Sequence, residues 1–475
     1  MDRVDVPATT EQALAPLRAG FAGELILPGD PSYDSVRQLW NAIFDKRPAL
    51  IARCRNARDV SAAVTHAKRH AMEVAVRGGG HNAGGSGSSD GGLVIDLSLM
   101  NGVTVDPAAR RALVGGGATW AEFDGAAQEH GLATPGGVVS ATGVGGLTLS
   151  GGIGWLRGSY GLSLDNVLAV EIVTADGAVH NANPRDGADL FWAIRGGGGN
   201  FGVVTQFEFA VHPVGPEVML MLPIYRAEDA APVMKAWRDF MATAPDEIGG
   251  SLVEFSTIPE DPAYPREAWN MKVMALAGVW AGPTDEGERA IAPLRRLATP
   301  LLDFSGRMRY CEVQKLYDGL FPKGGNRAYF KSMYLDRLDD AAIDEIAPRA
   351  ADRPSPSSLC SVWFMGGAVG RVDAGATAFG DRSFRWMLSI DALWQKAEDD
   401  ATNLGWTRGL WNDMQRFSNG RAYLNFAGLP EDGDSLRRST YGANYARLAE
   451  IKARYDPTNL FRLNQNIVPK AAHRG

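Results

Sequence analysis

Short apolar runs cut by glycine dominate the first 213 residues. Val60, Ala63, Val64, Ala67 and Ala71 share one face of a 3.6-residue period, which predicts a helix. Val74-Ala75-Val76 alternates with its neighbours as a strand, and Gly92-Leu93-Val94-Ile95-Asp96-Leu97 reads as a buried strand. Val103–Val105 and Leu113-Val114 form a predicted hairpin turning through Asp106-Pro107. Val167–Thr174 and Val179–Asn181 flank Asp176-Gly177, a strong hairpin signal. Ala188–Ile194 looks helical, and Val204–Val211 alternates and closes the region as a strand.

Beyond Pro213 the pattern changes. Leu252–Glu254, Lys272–Trp280, Ser358–Met365 and Trp386–Trp394 read as longer strands. Glu286–Leu297, Asp339–Ile346 and Leu404–Phe417 read as helices between them. This is an α+β layout, one sheet with helices on one face. The composition returns to its first type near Arg421, and Tyr445–Lys452 is helical in pattern, ending before Asp456-Pro457. The expected architecture is a first domain split in sequence, 1–213 plus 415–475, with a second domain, 214–414, inserted between. No repeat of solenoid period is present.

Composition narrows the function classes. The chain has 475 residues and a net charge of -7, with no lysine- or arginine-rich block, which argues against nucleic acid. No run of about 18 apolar residues is available to span a membrane. Residues 1–20 lack a basic-then-apolar export pattern, so a cytoplasmic location is expected. Cys54, Cys311 and Cys360 form no CxxC pair, and His66, His70, His130, His180, His212 and His473 show no ligand grouping, so no metal is expected. The 56 glycines cluster between Gly78 and Gly202, as ligand-cradling loops would.

Three glycine blocks carry the candidate chemistry. The first is Arg77-Gly78-Gly79-Gly80-His81-Asn82. Without Cβ atoms its amides can close on a phosphorylated ligand, and a histidine at its edge can act as nucleophile or proton carrier. The second runs from Thr142 to Trp155 with Gly143, Gly146, Gly151, Gly152 and Gly154. The third is Arg195–Val204. Its Gly197, Gly199 and Gly202 satisfy G-x-G-x-x-G, but the segment precedes a strand and follows a helix, the reverse of a Rossmann turn.

Together the blocks resemble the flavin-binding domain of the vanillyl-alcohol oxidase and p-cresol methylhydroxylase superfamily, in its berberine bridge enzyme-like branch. The C-terminal Tyr455-Asp456-Pro457-Thr458-Asn459-Leu460-Phe461 and Asn464-Gln465-Asn466-Ile467 complete the match. The resemblance spans roughly residues 45–215 and 420–469. It implies a two-part FAD-binding domain, with an inserted substrate domain of antiparallel sheet covered by helices.

The resemblance assigns roles residue by residue. His81 stands where the family attaches the flavin methyl carbon through a ring nitrogen. A second attachment in many relatives uses a cysteine where this chain has Val139, so single attachment through His81 is expected. Arg77, Gly78, Gly79, Gly80 and Asn82 would cradle the pyrophosphate, the arginine adding charge. Gly143, Gly146, Gly151, Gly152 and Gly154 would let the backbone approach the dinucleotide, and Asn200, Val204, Asn464 and Asn466 match flavin-contacting positions. Thr142 matches a position that governs oxygen access, and its small size is compatible with an oxidase. Leu147 stands where plant relatives carry histidine.

Tyr423-Leu424-Asn425 matches the Tyr-x-Asn motif of sugar- and alcohol-oxidising members. The phenol of Tyr423 would take a hydroxyl proton as hydride leaves, with Asn425 orienting substrate or flavin. At a pKa of about 10 it needs help from its surroundings to act as a base. Trp280, Trp363 and Trp386 lie on strands of the inserted domain as core or stacking residues. Trp155 lies near the flavin loops and has the better claim to a ligand.

The resemblance therefore implies an FAD-dependent oxidase acting on a small molecule, with hydride leaving an alcohol or amine carbon and O2 giving hydrogen peroxide. Three alternatives stay open: a dehydrogenase with another electron acceptor, a flavin-loaded carrier protein, and a natural-product tailoring enzyme using the same hydride step. The sequence indicates neither the substrate nor the oligomeric state.

Overall fold

Residues 7–428 and 433–471 are described by a computed structural model. His473 lies outside them. Near the N-terminus a four-stranded sheet runs in the order Glu24–Ile26, Leu50–Arg53, Leu93–Asp96, Val74–Arg77. The last three strands are parallel. The helix Ala57–Arg69 connects two of them and buries Val60, Ala63, Val64 and Ala67. Asn56 caps it, accepting from the Arg58 and Asp59 amides. Ala71, expected on the same face, lies beyond the helix end with φ 50 and is exposed. Met72 takes the buried place instead.

A five-stranded antiparallel sheet follows, in the order Val103–Asp106, Arg111–Gly115, Val203–Ala210, Val167–Val173, Val179–Ala182. Both predicted hairpins are present in it. Helices Trp120–Gln128, Ala188–Ile194 and Asn444–Tyr455 contribute to its apolar core. The last helix comes from the far end of the chain, so the C-terminal segment packs on the same core as residues 103–211.

The middle of the chain forms a nine-stranded antiparallel sheet. Its long strands run in the order Lys272–Trp280, Leu252–Thr257, Leu359–Phe364, Trp386–Trp394, with Arg327–Leu335 at the edge. Helices Ala230–Met241, Asp340–Ala351 and Asp400–Met414 contribute to the core on one face. Three differences from the sequence pattern stand out. The helix read over Glu286–Leu297 is an α-helix only from Thr284 to Ile291, followed by a 3-10 turn at Leu294–Arg296. The strand Arg327–Leu335 and the helix Ala230–Met241 did not declare themselves in the sequence. The free face of the sheet turns to the glycine loops.

Candidate active site

The glycine blocks, the C-terminal segment and the free sheet face enclose one cavity of about 660 Å³. That is room for a flavin dinucleotide or for a drug-sized ligand. The first and second glycine blocks touch. A Cβ on Gly79 would stand 2.4 Å from the Gly143 amide nitrogen, and one on Gly143 equally close to that of Gly79. Gly80 has φ +72, a backbone shape that excludes most other residues. These contacts force glycine at the edge of the cavity and set His81 on its wall.

Among the residues expected at a cofactor, Arg77, Gly78, Gly79, Gly80, His81, Asn82, Thr142, Gly143, Gly146, Val204, Asn464 and Asn466 line this cavity. Val139 and Leu147 line it as well, while Cys54 and Cys360 are buried in cores elsewhere. Four expected residues sit elsewhere. Gly151, Gly152 and Gly154 lie behind the wall. Gly154 is pressed against the Gly136 carbonyl, where a Cβ would approach to 2.0 Å. Asn200 ties chain segments together: it donates to the carbonyls of Gly197 and Gln465 and accepts from the Ile467 amide.

Arg77 differs from the expectation in its charge. Its Nε donates to Asp96 Oδ2 at 2.9 Å, and its Nη2 donates to the same oxygen. The guanidinium is therefore neutralised inside the protein, because a buried charge requires a partner. Its Nη1 stays buried without one. Asn464 Oδ1 and Asn466 Oδ1 share that state. Three orphaned polar atoms thus belong to residues lining one cavity, beside backbone that only glycine can form. A buried polar group left unpaired costs about 1–3 kcal/mol, so such a set marks groups that a ligand satisfies. One donor and two acceptors fit a polar, phosphate-bearing heterocycle, and FAD fits this donor set.

His81 stacks on Trp40, with ring centroids 5.5 Å apart and planes 16° from parallel. Trp40 is fixed by its indole N–H, which donates to the Phe321 carbonyl at 3.0 Å. Burial pushes the His81 imidazole down to about 4, outweighing the opposing pull of Asp318. The ring is therefore neutral at physiological pH, the form in which its nitrogen has a lone pair to give.

Tyr423 and Asn425 line the same cavity beside the second glycine block. The Tyr423 oxygen accepts from the Gly152 amide at 2.9 Å and from Asn425 Nδ2 at 2.9 Å. Asn425 Nδ2 also donates to the Leu147 carbonyl, which fixes its orientation. Burial pushes the phenol above 10.0, and the donors from Asn425, Gly152 and Ile153 pull the other way.

The sequence missed part of the wall. Glu254, Tyr317, Phe330, Ser361, Asp391 and Phe426 also line the cavity. The available signal was a lone acid inside an apolar strand, as in Leu252-Val253-Glu254-Phe255 and Ser389-Ile390-Asp391-Ala392. Of the four tryptophans singled out, Trp363 lines the cavity. Trp280 and Trp386 belong to the core under the helices, and Trp155 is buried behind the glycine run.

A neutral histidine, a phenol held by amide donors and a glycine-walled cavity with orphaned polar atoms define a flavin-dependent oxidoreductase. Residues 48–183 match the family described as FAD binding domain, and residues 422–468 match that described as Berberine and berberine like. The (R)-6-hydroxynicotine oxidase of Paenarthrobacter nicotinovorans is 32% identical over 467 residues, 95% of this chain and 97% of the relative. The crystal structure of 6-hydroxy-D-nicotine oxidase from Arthrobacter nicotinovorans has a TM-score of 0.83 at 29% identity, covering 95% of this chain and 98% of that one. Berberine bridge enzyme shares the fold, with a TM-score of 0.86 at 20% identity over 97% of this chain and 99% of its own. The chain belongs to the berberine bridge enzyme-like FAD-linked oxidoreductases, within the vanillyl-alcohol oxidase and p-cresol methylhydroxylase superfamily. Among the described residues no helix is long and apolar enough to cross a membrane.

Proposed function

We propose that this chain is an oxidase that holds FAD by a single covalent bond to His81. It removes hydride from a hydroxyl- or amine-bearing carbon of a small molecule, with O2 as the acceptor and hydrogen peroxide as the by-product. One observation carries the reading: a single cavity is lined by His81, the glycine blocks, Tyr423 and Asn425 together. Similarity over almost the whole chain to a protein named (R)-6-hydroxynicotine oxidase supports it. A cytoplasmic location goes with this reading.

Residues 1–213 and 415–475 would form the flavin-binding unit and residues 214–414 the substrate unit. The two family matches fall in the outer segments, and the strands from Glu217 to Trp394 form the sheet that supplies the substrate wall. FAD, when bound, supplies the two-electron acceptor for the hydride. Arg77 Nη1, Asn464 and Asn466 would bind its polar edges. Val139, Leu147 and Thr142 would keep water from its ring. Tyr423 would take the substrate proton at its phenol oxygen, and Asn425 would hold that oxygen in place.

The test is a visible spectrum of the purified protein before and after acid precipitation. A yellow pellet that turns colourless in His81→Ala, with peroxide released on substrate addition, is the expected result. Flavin released wholly into the supernatant overturns the covalent bond. A protein that binds no added FAD overturns the whole reading.

A further inference from the structure

The sheet face turned to the cavity carries groups that proton removal by Tyr423 does not use. Side chains along a strand alternate between the two faces. From three neighbouring strands Val253, Phe255, Cys360, Val362, Leu388 and Ile390 enter the apolar core under the helices. The other set brings Glu254, Ser361, Trp363 and Asp391 to the cavity wall. Glu254 is in register with Ser361, Ser361 with Ser389, and Asp391 follows two residues on from Ser389 on the same face.

Both acids are buried, Glu254 at 6% exposure and Asp391 at 7%. Ser361 Oγ donates to Glu254 Oε2 at 3.2 Å, Tyr317 hydrogen-bonds the same carboxyl, and Ser389 Oγ donates to Asp391 Oδ1 at 2.6 Å. No ion pair joins either acid to another described residue. Arg353, whose charge reaches Glu254, donates instead to Thr257 Oγ1 and the Ala350 carbonyl. Burial pushes Glu254 up to about 8 and Asp391 up to about 7. Acids raised this far are largely neutral near pH 7, and a cation bound beside them favours their ionised form.

A second observation points to the same wall. The Trp363 indole nitrogen is buried without a hydrogen-bond partner, although Trp363 lines the cavity two residues from Ser361. Tyr317, Phe330 and Phe426 add aromatic surface around it. Carboxyl oxygens beside aromatic rings are the combination that holds an organic ammonium, by charge-assisted hydrogen bonds and by cation–π attraction. A neutral alcohol would meet the hydrogen-bonding needs of this wall without drawing its acids into the ionised form.

We propose that Glu254 and Asp391 are the specificity-determining residues for a substrate carrying a protonated amine, with a hydrogen-bond acceptor on the same molecule for the Trp363 N–H. The ammonium pairs with the carboxyls that it draws into their ionised form, and the flat apolar part packs against Trp363, Phe330 and Phe426. This assignment rests on the flavin-enzyme reading above and selects, within it, an amine over a sugar or a neutral alcohol.

The test uses the flavin-loaded protein and matched pairs: benzylamine with benzyl alcohol, 2-phenylethylamine with 2-phenylethanol, and pyrrolidine with cyclopentanol. Binding is read anaerobically from the change in the flavin visible spectrum. The amines bind at least tenfold tighter than their alcohol twins. Glu254→Gln and Asp391→Asn each weaken amine binding at least tenfold and change alcohol binding less than threefold, at unchanged flavin content. Trp363→Phe, which keeps the ring, weakens binding of 2-(aminomethyl)pyridine more than that of benzylamine. Should either acid variant fold poorly, the wild-type preference between twins still decides. Alcohols that bind as tightly as amines, amines that leave the spectrum unchanged up to their solubility limit, or acid variants with unaltered amine affinity overturn the proposal. A yellow protein bleached by alcohols and indifferent to amines overturns this assignment alone, whereas a protein that takes up no FAD overturns both.

Discussion

The Gly152 amide donates to the Tyr423 hydroxyl oxygen at 2.9 Å across 271 residues of sequence. The contact needs glycine at two consecutive positions on the donor side. A Cβ on Gly151 would stand 2.8 Å from Tyr423 Cε2, and one on Gly152 would stand 2.0 Å from Ser163 Oγ. Both glycines have positive φ, +138 and +92. The second glycine block therefore shapes the pocket of the phenol, and the amides at Gly152 and Ile153 oppose the upward push that burial exerts on it.

Because the phenol sits above 10.0, its basic form is the minor one at neutral pH. The rate of flavin reduction at saturating alcohol substrate is then expected to rise about tenfold per pH unit between pH 7 and 9. Tyr423→Phe lowers that rate roughly 10²–10⁴-fold and flattens the profile, the usual range for loss of a positioned base. Stopped-flow reduction under nitrogen measures both. An unchanged rate in Tyr423→Phe removes the residue from the proton transfer.

The split between what the sequence displayed and what it hid follows from where each constraint is written. Gly79 and Gly143 were legible because a backbone-to-backbone contact tolerates one residue type, and the requirement shows in the local sequence. Tyr423 and Asn425 were legible as a motif, though the motif did not reveal that Gly152 holds them. Glu254 and Asp391 were hidden, since a strand buried on both faces reads as one apolar run and its wall residues emerge only once three strands are aligned. Trp155 and Trp363 exchanged roles for the same reason: nearness in sequence to the glycine loops placed Trp155 behind them. Arg77 was found, but its charge depended on Asp96, a partner on the adjacent parallel strand.

The Arg77–Asp96 pair is nearly sealed from solvent, with side-chain exposures of 6% and 4%. Asp96 Oδ1 also accepts from the Ser98 amide at 2.8 Å. Asp96→Asn leaves a guanidinium buried without its counter-charge. Breaking such a pair costs about 3–5 kcal/mol. Urea denaturation is expected to show a loss of that size, with a lower midpoint and an unchanged slope. A loss below about 1 kcal/mol would mean that water reaches the site freely.

Lys452 closes the C-terminal segment over the cavity. Its Nζ donates to the Asn200 carbonyl at 2.7 Å, to Asp456 Oδ2 at 2.6 Å and to the Phe461 carbonyl at 2.9 Å, and the side chain is fully buried. Lys452→Met removes all three bonds and leaves the Asp456 carboxyl unneutralised. Residues 461–466, which line the cavity, lose their anchor. The expected outcome is faster amide hydrogen exchange across 456–467 and at least tenfold weaker retention of non-covalent FAD in a His81→Ala background. Slow exchange like that of the parent would show that the segment is held by packing alone.

His81 gives the last prediction, and its sign follows from the direction of the shift. The folded imidazole titrates near 4 against 6.5 in the unfolded chain, so between those values the unfolded state binds more protons. Stability of the flavin-free protein therefore falls as pH drops from 6.5 towards 4 and levels off below. His81→Gln removes that part of the pH dependence, which melting curves at pH 4.5 and 7 reveal as a smaller difference between the two. The same shift governs attachment. At pH 5 an ordinary imidazole is about 3% neutral, whereas His81 is about 90% neutral. Acid-stable flavin is thus expected to form at similar rates at pH 5 and pH 8 when FAD is added to the flavin-free protein. A rate at pH 5 more than tenfold below that at pH 8 would show that the ring is protonated there and that burial by Trp40 and its neighbours does not set its charge.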